Sequence, residues 1–251
     1  MRADKHLAEK FGSRTKAADA IARGLVIVNG KKIAPSYEIK ESDLVEFLNA
    51  EEIFVSAGGY KLSKAIKEFG FVAKDKVFAD IGASTGGFTD CLLKNGARKI
   101  YCIDVGENQL DKSLDREKLV IIDNFNARNL TADLFAETLD GVVIDVSFIS
   151  LTYILGAVSG ILKDGASVLA LIKPQFECES KKVGKNGIVK DKVVHERVIR
   201  KVCEYASVCG LSPQKLTTAP QVAGKNLEYV VLLEKNSVSA DIDKLIKSVK
   251  L

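Results

Sequence analysis

A glycine-rich segment in the middle of the chain has the residue types of a ligand-binding turn. The apolar run Val77–Ile81 leads into a turn that contains Gly82 and Gly86, and an amphipathic pattern typical of a helix begins near Gly86. A strand, a glycine turn and a helix together present backbone N–H groups to a ligand in α/β folds. The glycine spacing is not Gly-x-Gly-x-x-Gly, so a standard dinucleotide site fits it poorly.

Two carboxylates beside this turn narrow the choice of ligand. Asp80 lies at the end of the first strand, and Asp104 at the end of the next. They favour a ligand with an amino group and ribose hydroxyls, and S-adenosylmethionine has both. The alternative is a plain tight turn in a buried sheet. On the cofactor interpretation, the predicted binding residues are Asp80, Gly82, Ser84, Gly86, Phe88, Asp104, Asn126 and Asp145.

These residues are expected to contribute differently. Gly82, Ser84 and Gly86 would shape one end of the site through the backbone, and Asp104 would accept from the ribose hydroxyls. Asn126 is either an adenine contact or a simple turn residue. Phe88 fits the helix core better than an aromatic stack on the ligand.

The elements that must position these residues alternate between helix and strand from residue 59 onward. Most predicted strands are continuous apolar runs, as in parallel strands buried on both faces; they lie near residues 77–81, 100–104, 119–123, 141–146 and 167–173. Helices are predicted near 60–69 and 148–162. We therefore expect an α/β domain with a mostly parallel sheet over residues 59–251.

The end of the chain adds an antiparallel pair. A long helix is predicted to begin at Asp191, a typical N-cap residue. Two late strands near 214–218 and 227–234 are close enough to pair antiparallel, and a surface helix follows near 239–250. The segment 183–190 between the parallel strands and the long helix is interpreted either as a mobile loop that contacts phosphates or as an ordinary surface loop.

Residues 1–50 look like a separate, basic α+β module joined by a linker over residues 51–58. Ser13 can cap a helix that runs to about Arg23, and Asn29-Gly30 is a favoured two-residue hairpin turn. A third strand is predicted near 44–48. Residues 1–36 carry eight Lys or Arg and three Asp or Glu, a net of +5, while the whole chain has +4. This asymmetry points to a polyanion such as nucleic acid, the alternative being an ordinary solvated surface.

The basic residues of this module have few aromatic neighbours, so phosphate contacts are expected rather than base stacking. The residues predicted to make these contacts are Arg14, Lys16, Arg23, Lys31 and Lys32, and the family resemblance described below implies that the polyanion is RNA.

Cysteine and histidine usage indicates a reducing compartment and no metal site. The five cysteines form no Cys-x-x-Cys pair, and the chain has two histidines, His6 and His195, far apart in sequence. The chain is charged from Arg2 onward and no apolar run reaches the length of a membrane span. We expect a cytoplasmic protein, monomeric in solution, that needs neither membrane nor metal.

Taken in order along the chain, several segments resemble the TlyA family, which joins an S4 RNA-binding domain to an FtsJ-like methyltransferase domain. The resemblance covers nearly the whole chain, and the joint order of the segments makes it specific. They are Ser13-Arg14-Thr15-Lys16 through Val28-Asn29-Gly30, Gly58-Gly59-Tyr60-Lys61-Leu62, Asp80 through Thr89, Asn126-Ala127-Arg128, Asp145 through Leu151, Lys173-Pro174-Gln175-Phe176-Glu177 and Asn226-Leu227-Glu228-Tyr229.

The resemblance implies a Rossmann-like class I methyltransferase domain behind an S4-like domain. It implies methylation of a ribose 2′-hydroxyl, with cytidine expected, in ribosomal RNA or a ribosomal subunit, with S-adenosylmethionine as donor. It also implies a catalytic tetrad, which matches Lys61, Asp145, Lys173 and Glu228 here. The positions of two of these residues support a site without the resemblance. Asp145 and Lys173 each lie at the carboxyl end of a predicted strand, which is where open α/β sheets bind ligands. Lys173 would take or orient the 2′-hydroxyl proton.

Departures from the family pattern leave the tetrad intact. Ala57 stands where members often have Arg, and Glu107-Asn108 stands where they often have Tyr-Gly. The competing hypotheses are a non-catalytic RNA- or ribosome-binding protein, a haemolysin-like protein, since some members carry that label, and a small-molecule methyltransferase. The last would not explain the basic N-terminal module.

Overall fold

The computed structural model describes residues 1–22, 24–47, 53–222 and 224–249. The chain divides into two compact units, Met1–Ala57 and Gly58–Leu251. In the described part of the chain, no helix is both long enough and apolar enough to cross a membrane.

The first unit packs two helices on a small antiparallel sheet. Its elements are α1 (Ala3–His6), α2 (Arg14–Ala22), β1 (Val26–Val28), β2 (Lys31–Lys32) and β3 (Val45–Phe47), with strand order β2-β1-β3. The predicted cap is present, because Ser13 Oγ accepts from the Lys16 N–H at 3.1 Å. The predicted hairpin turn is confirmed by positive φ values of 51° at Asn29 and 73° at Gly30.

The first unit contains one element that the sequence did not predict, and some predicted residues lie outside its described part. Helix α1 was not predicted, because four residues carry little periodic signal. Arg23 and the end of the predicted third strand, Leu48, lie outside the described residues, as does part of the predicted linker.

The second unit is built on a seven-stranded, mostly parallel sheet with helices around it. Strand order is β6-β5-β4-β7-β8-β10-β9, with β10 antiparallel to both of its neighbours. The strands are β4 (Val77–Ile81), β5 (Lys99–Ile103), β6 (Leu119–Ile122), β7 (Leu139–Ile144), β8 (Leu162–Ile172), β9 (Leu211–Thr218) and β10 (Tyr229–Lys235). The helices are α3 (Ala57–Phe69), α4 (Gly87–Lys94), α5 (Leu155–Gly160), α6 (Pro174–Glu177), α7 (Lys192–Val208) and α8 (Ile242–Ser248).

The parallel sheet, the late antiparallel pair and the cap of the long helix agree with the sequence predictions. Asp191 Oδ1 accepts from the Val193 N–H at 2.9 Å and starts α7. Helix α3 begins at Ala57, inside the predicted linker. All five cysteines are free; Cys91, Cys102 and Cys203 are buried, and Cys178 and Cys209 are partly buried.

The predicted helix over 148–162 is wrong. Phe148 has a φ of 65°, which no regular helix contains. A single 3-10 turn at Leu151–Tyr153 and the short α5 follow, and Leu162 already belongs to β8. The helical pattern is realised only over Leu155–Gly160, and the other apolar residues of the stretch fill the core from a turn and a strand.

One carboxyl group lies inside the sheet. Asp80 is fully buried in β4; its Oδ2 accepts from the Thr89 hydroxyl at 2.6 Å, while Oδ1 has no hydrogen-bond partner in the described structure. Desolvation by burial raises the pKa of Asp80 to about 7, and the negative charge of Asp145 adds to the effect, against the opposing Thr89 hydrogen bond.

This burial predicts a pH-dependent stability. A carboxyl whose pKa is raised on folding from 3.8 to about 7 binds its proton more tightly in the folded state. The free energy of unfolding should therefore decrease as pH rises through that window, by on the order of 1 kcal/mol per pH unit. Asp80→Asn should flatten the decrease in denaturant titrations between pH 5 and 8. Asp164→Asn, at an exposed carboxyl, is the control; identical profiles for wild type and Asp80→Asn would show that Asp80 is ionised in the folded state throughout.

Candidate active site

A cavity of about 590 Å³ opens at the carboxyl ends of the parallel strands. This is the edge at which open α/β sheets bind ligands. Five of the eight predicted cofactor residues line it: Gly82, Ser84, Asp104, Asn126 and Asp145.

Gly82 is held in a position that only glycine can occupy. Its φ is 81°, and a Cβ there would lie 2.8 Å from the Asp145 carbonyl oxygen. Its N–H donates to the Ile103 carbonyl at 2.8 Å. The turn after β4 is therefore pressed against the residues that follow β7, and its backbone faces the cavity.

Asp104 organises the other side of this turn. Its Oδ2 accepts from the Ser84 N–H at 2.8 Å and its Oδ1 from the Gly106 N–H at 2.7 Å. A carboxylate has about four lone-pair sites, so both oxygens can still accept from a ligand hydroxyl. Asn126, by contrast, uses its Oδ1 to cap the turn that contains Arg128, whose N–H it accepts at 3.1 Å.

The other three predicted cofactor residues do not line the cavity. The Asp80 carboxyl faces Thr89 inside the fold. Phe88 is 2% exposed and packs against Gly58, where an added Cβ would lie 3.2 Å from its ring. Gly86, with φ of 88°, N-caps α4 over the side chains of Leu110 and Leu114. These three residues lie behind the turn rather than along the cavity, and their direct contact with a ligand stays a prediction.

Three of the four predicted tetrad residues converge because β7 and β8 end, and β10 begins, at the same edge of the sheet. Asp145 follows β7 and Lys173 follows β8, which is its neighbour in the sheet. Glu228 directly precedes β10, and the pairing of Tyr229 with Ile172 places Glu228 opposite Lys173.

Lys61 reaches this edge from α3. Gly58 lies one turn before Lys61 on the same face, and a Cβ at Gly58 would lie 3.3 Å from Asp145 Oδ2. Lys61 Nζ forms an ion pair with Glu228 Oε2 at 2.6 Å. Gln175 donates to the other oxygen of Glu228 at 3.4 Å.

The second ion pair is almost buried. Lys173 is 8% exposed, and its Nζ lies 2.6 Å from Asp145 Oδ1. The approach misses hydrogen-bond directions at that oxygen, so the contact is best described as electrostatic. Lys173 donates a directed hydrogen bond to Ser147 Oγ at 2.8 Å. One ammonium is thus fixed at the border between tetrad and cavity, because Asp145 and Ser147 also line the cavity.

An aromatic pair beside Lys173, with Phe148 exposed and Phe176 half-buried, was not assigned a role from sequence. The Phe148 side chain is 90% exposed at a φ of 65°, and its ring lies 5.1 Å from that of Phe176. Lys173 Nζ lies 5.9 Å from the Phe176 ring centre. An exposed aromatic at a strained backbone position next to a cavity indicates a ligand contact. The misassigned helix concealed this signal.

Glu177 is a second residue that sequence reasoning left without a role. It is 7% exposed, and its oxygens accept from Ser150 Oγ at 2.5 Å and the Leu151 N–H at 2.7 Å. Lys201 donates to the Glu177 carbonyl oxygen at 3.0 Å. Glu177 therefore holds the loop after β7, which carries Ser147 and Phe148. The available signal was an acid between Phe176 and Cys178, shortly after Lys173-Pro174.

Of the predicted RNA contacts in the first unit, Arg14, Lys31 and Lys32 are exposed and Lys16 is half-buried. Arg14 also pairs with the buried Asp4, at 3.1 Å. The hydrogen bond from Arg2 is the main reason that the pKa of Asp4 falls to about 2, and Arg14 contributes. Arg14 thus has a structural partner as well as an exposed guanidinium.

Two family models match the chain, one over most of each unit. The model of FtsJ-like methyltransferases matches residues 54–235, and the model of the S4 domain matches residues 1–45.

Individual relatives extend over most of the chain. A protein named Hemolysin A from Brachyspira hyodysenteriae is 41% identical over 87% of this chain and 92% of its own length. The 16S/23S rRNA (cytidine-2′-O)-methyltransferase TlyA of Mycobacterium tuberculosis is 35% identical over 88% of this chain and 84% of its own. A solved structure of a candidate hemolysin from Streptococcus thermophilus has a TM-score of 0.74 and 35% identity, covering 99% of this chain and 94% of that one.

The Glu177 contacts lead to a stability prediction. Glu177→Ala leaves the Ser150 hydroxyl and the Leu151 N–H without their buried acceptor, and one such group costs about 1–3 kcal/mol. We expect a loss in that range in chemical denaturation. Glu177→Gln should lose less, because its amide oxygen still accepts one bond. Glu179→Ala, at an exposed neighbour, is the control, and equal stability of Glu177→Ala and wild type would contradict the anchoring role.

Proposed function

The chain belongs to the TlyA family of FtsJ-like methyltransferases with an N-terminal S4 domain, and we propose that it methylates the 2′-hydroxyl of a cytidine ribose in ribosomal RNA. The observation that carries the proposal is the shared border of cavity and tetrad at Asp145. A methyl donor in the cavity and a hydroxyl beside Lys173 would meet at this residue. All four tetrad residues come from one chain, so a monomer suffices. A ribosomal substrate would place the reaction in the cytoplasm.

The cavity suits S-adenosylmethionine, which supplies an electrophilic methyl group on a cationic sulfonium. The carboxylates of Asp104 and Asp145 line the cavity together with one cation, Arg128, and within the described residues Asp104 forms no ion pair with an ammonium group. The backbone at Gly82 can approach the ligand closely, and we assign Asp104 to the ribose hydroxyls. Asn126 lines the cavity and remains the proposed adenine neighbour.

The tetrad would prepare the attacking hydroxyl. Lys173, fixed by Asp145 and Ser147, takes or orients the 2′-hydroxyl proton as the oxygen attacks. Lys173 would first release one ammonium proton to solvent, so that its neutral amine can take the hydroxyl proton. The bound donor would supply the methyl group, with the O–CH₃ bond forming as the S–CH₃ bond breaks and a neutral thioether leaving. The Lys61–Glu228 pair keeps a second cation and its counter-charge beside the same position. Holding Lys173 and the attacking hydroxyl in the reactive geometry would supply much of the rate enhancement over the uncatalysed reaction.

The aromatic pair fits an RNA target. A nucleotide must leave its stack before a buried lysine can reach its ribose, and unstacked bases are held on aromatic faces. Phe148 offers such a face beside Lys173. The S4 domain would add phosphate contacts through Arg14, Lys16, Arg23, Lys31 and Lys32, which position RNA without reading its sequence.

A non-catalytic RNA-binding protein is the second candidate, and the intact tetrad argues against it. Two ion pairs with one buried lysine cost desolvation energy, which a pure binding role would not require. The haemolysin hypothesis predicts lysis of cells or vesicles by the purified protein. Methyl transfer to RNA without lysis would separate the two.

The cofactor assignment predicts a loss of affinity in Asp104→Ala. A hydrogen bond to a charged group contributes about 1.5–3 kcal/mol, so the dissociation constant for S-adenosylmethionine should rise about tenfold or more. Isothermal titration calorimetry measures it, with Asp164→Ala as control. Because Asp104 also holds Ser84 and Gly106, thermal unfolding must show that the variant is folded. Unchanged affinity would move the ribose elsewhere.

The chemical step is tested at Lys173. Lys173→Ala should lower single-turnover methyl transfer by about 10²–10⁴-fold, the usual effect of losing a general base, while cofactor affinity is kept. Lys173→Arg should fail as well, since a guanidinium does not deprotonate in proteins and its planar head fits differently. Lys244→Arg is the control. A Lys173→Arg enzyme with near-normal rate and pH profile would reject lysine as the base.

A further inference from the structure

The segment Ser180–Lys192 carries a dense, exposed positive charge within the second unit. It contains five lysines and a single acid, Asp191, which is used as the cap of α7. All five lysines are exposed. Lys181 pairs with Glu179 at 2.5 Å. Across the residues that the structure describes, the other four pair with no carboxylate: Lys182, Lys185, Lys190 and Lys192.

This segment has little regular structure of its own, yet two side chains fix it. Asn226 Oδ1 accepts from the Val189 N–H at 2.8 Å, and Asn226 Nδ2 donates to the Gly187 carbonyl at 2.7 Å. His195 Nε2 lies 3.0 Å from the Val189 carbonyl oxygen. A carbonyl can only accept, so Nε2 carries the proton. Both backbone groups of Val189 are thereby held.

The same anchors connect the segment to the catalytic edge. His195 Nδ1, left as an acceptor, lies 2.8 Å from the Tyr229 hydroxyl. Tyr229 and Asn226 flank Glu228, which pairs with Lys61. The lysines are therefore fixed relative to the strand end that carries a tetrad residue, and ordering them on binding costs less than ordering a free loop.

We propose that Ser180–Lys192 is a second RNA-binding surface that holds backbone phosphates of the substrate next to the target ribose. The proposal rests on the proposed function and adds the contact surface of the catalytic unit itself. Unpaired, exposed lysines bind phosphates by releasing counterions, without reading bases. The position of the segment beside Glu228 favours the strand that supplies the methyl acceptor over an acidic protein or a lipid surface.

The first test removes charge from the segment. A Lys182→Ala/Lys185→Ala/Lys190→Ala variant should raise KM for ribosomal RNA about tenfold or more, with kcat and cofactor affinity retained. Its KM should also depend less on salt, by about 0.7–0.9 in log–log slope for each phosphate that is no longer neutralised. The matched control, Lys74→Ala/Lys244→Ala/Lys247→Ala, removes the same charge elsewhere and should leave KM and slope unchanged. If the wild type is active and both triple variants have the same KM and salt slope, the second RNA-binding surface is ruled out and the proposed function stands. If the wild type is inactive, the proposed function itself is rejected.

The second test removes no charge. Asn226→Ala releases Gly187 and Val189, so it should reproduce much of the rise in KM at unchanged kcat and expose Lys185 and Lys190 to faster cleavage by trypsin. Faster cleavage with a normal KM would contradict the proposal that the anchored conformation of the segment helps it to bind RNA. A lysine triple variant that failed to bind phosphatidylglycerol vesicles, but still bound RNA normally, would assign the surface to a membrane and overturn the proposal.

Discussion

The ion pair between Lys173 and Asp145 is the contact on which the rest of the site depends. A buried ammonium is tolerated only when a counter-charge and hydrogen bonds replace its water. Asp145 provides the charge and Ser147 the hydrogen bond. Asp145 is also tied to the glycine turn, because its N–H donates to the Ile81 carbonyl at 3.0 Å and its own carbonyl lies against Gly82. Asp145 therefore holds both the glycine turn that faces the cavity and the ammonium of Lys173 that would handle the proton.

The antiparallel strand β10 completes this arrangement in a way that a purely parallel sheet would not. Strand β10 runs opposite to β8, so its beginning lies at the edge where the parallel strands end. Glu228, at the start of β10, is thereby placed beside residues that follow β7 and β8. The anchors Asn226 and Tyr229 lie on either side of Glu228, so the same strand start serves the tetrad and the lysine segment.

Local patterns in the sequence predicted most of the elements, and long-range contacts explain what was missed. Buried strands, the Asn29-Gly30 turn and the Ser13 and Asp191 caps each depend on a few neighbouring residues. The stretch after β7 does not, since its course is held by Glu177, 26 or more positions further along the chain. Its apolar spacing therefore predicted a helix and concealed the exposed position of Phe148. Sequence spacing likewise placed Asp80 and Phe88 beside the turn but could not show that they face away from the cavity.

The charges of the second unit are separated in a way that suits two unlike ligands. Three carboxyl groups surround the glycine turn, with Asp104 and Asp145 at the cavity and Asp80 behind it. Burial is the main reason that the pKa of Asp80 is raised, and the charges of Asp145 and Asp104 add to the effect. Lysines without carboxylate partners lie instead along Ser180–Lys192. A cationic sulfonium is attracted to the first region and an RNA backbone to the second, so neither ligand competes for the site of the other. On the proposed reaction, methyl transfer turns the sulfonium into a neutral thioether. The carboxylates then hold the spent cofactor less strongly than the donor, which favours its exchange after each turnover.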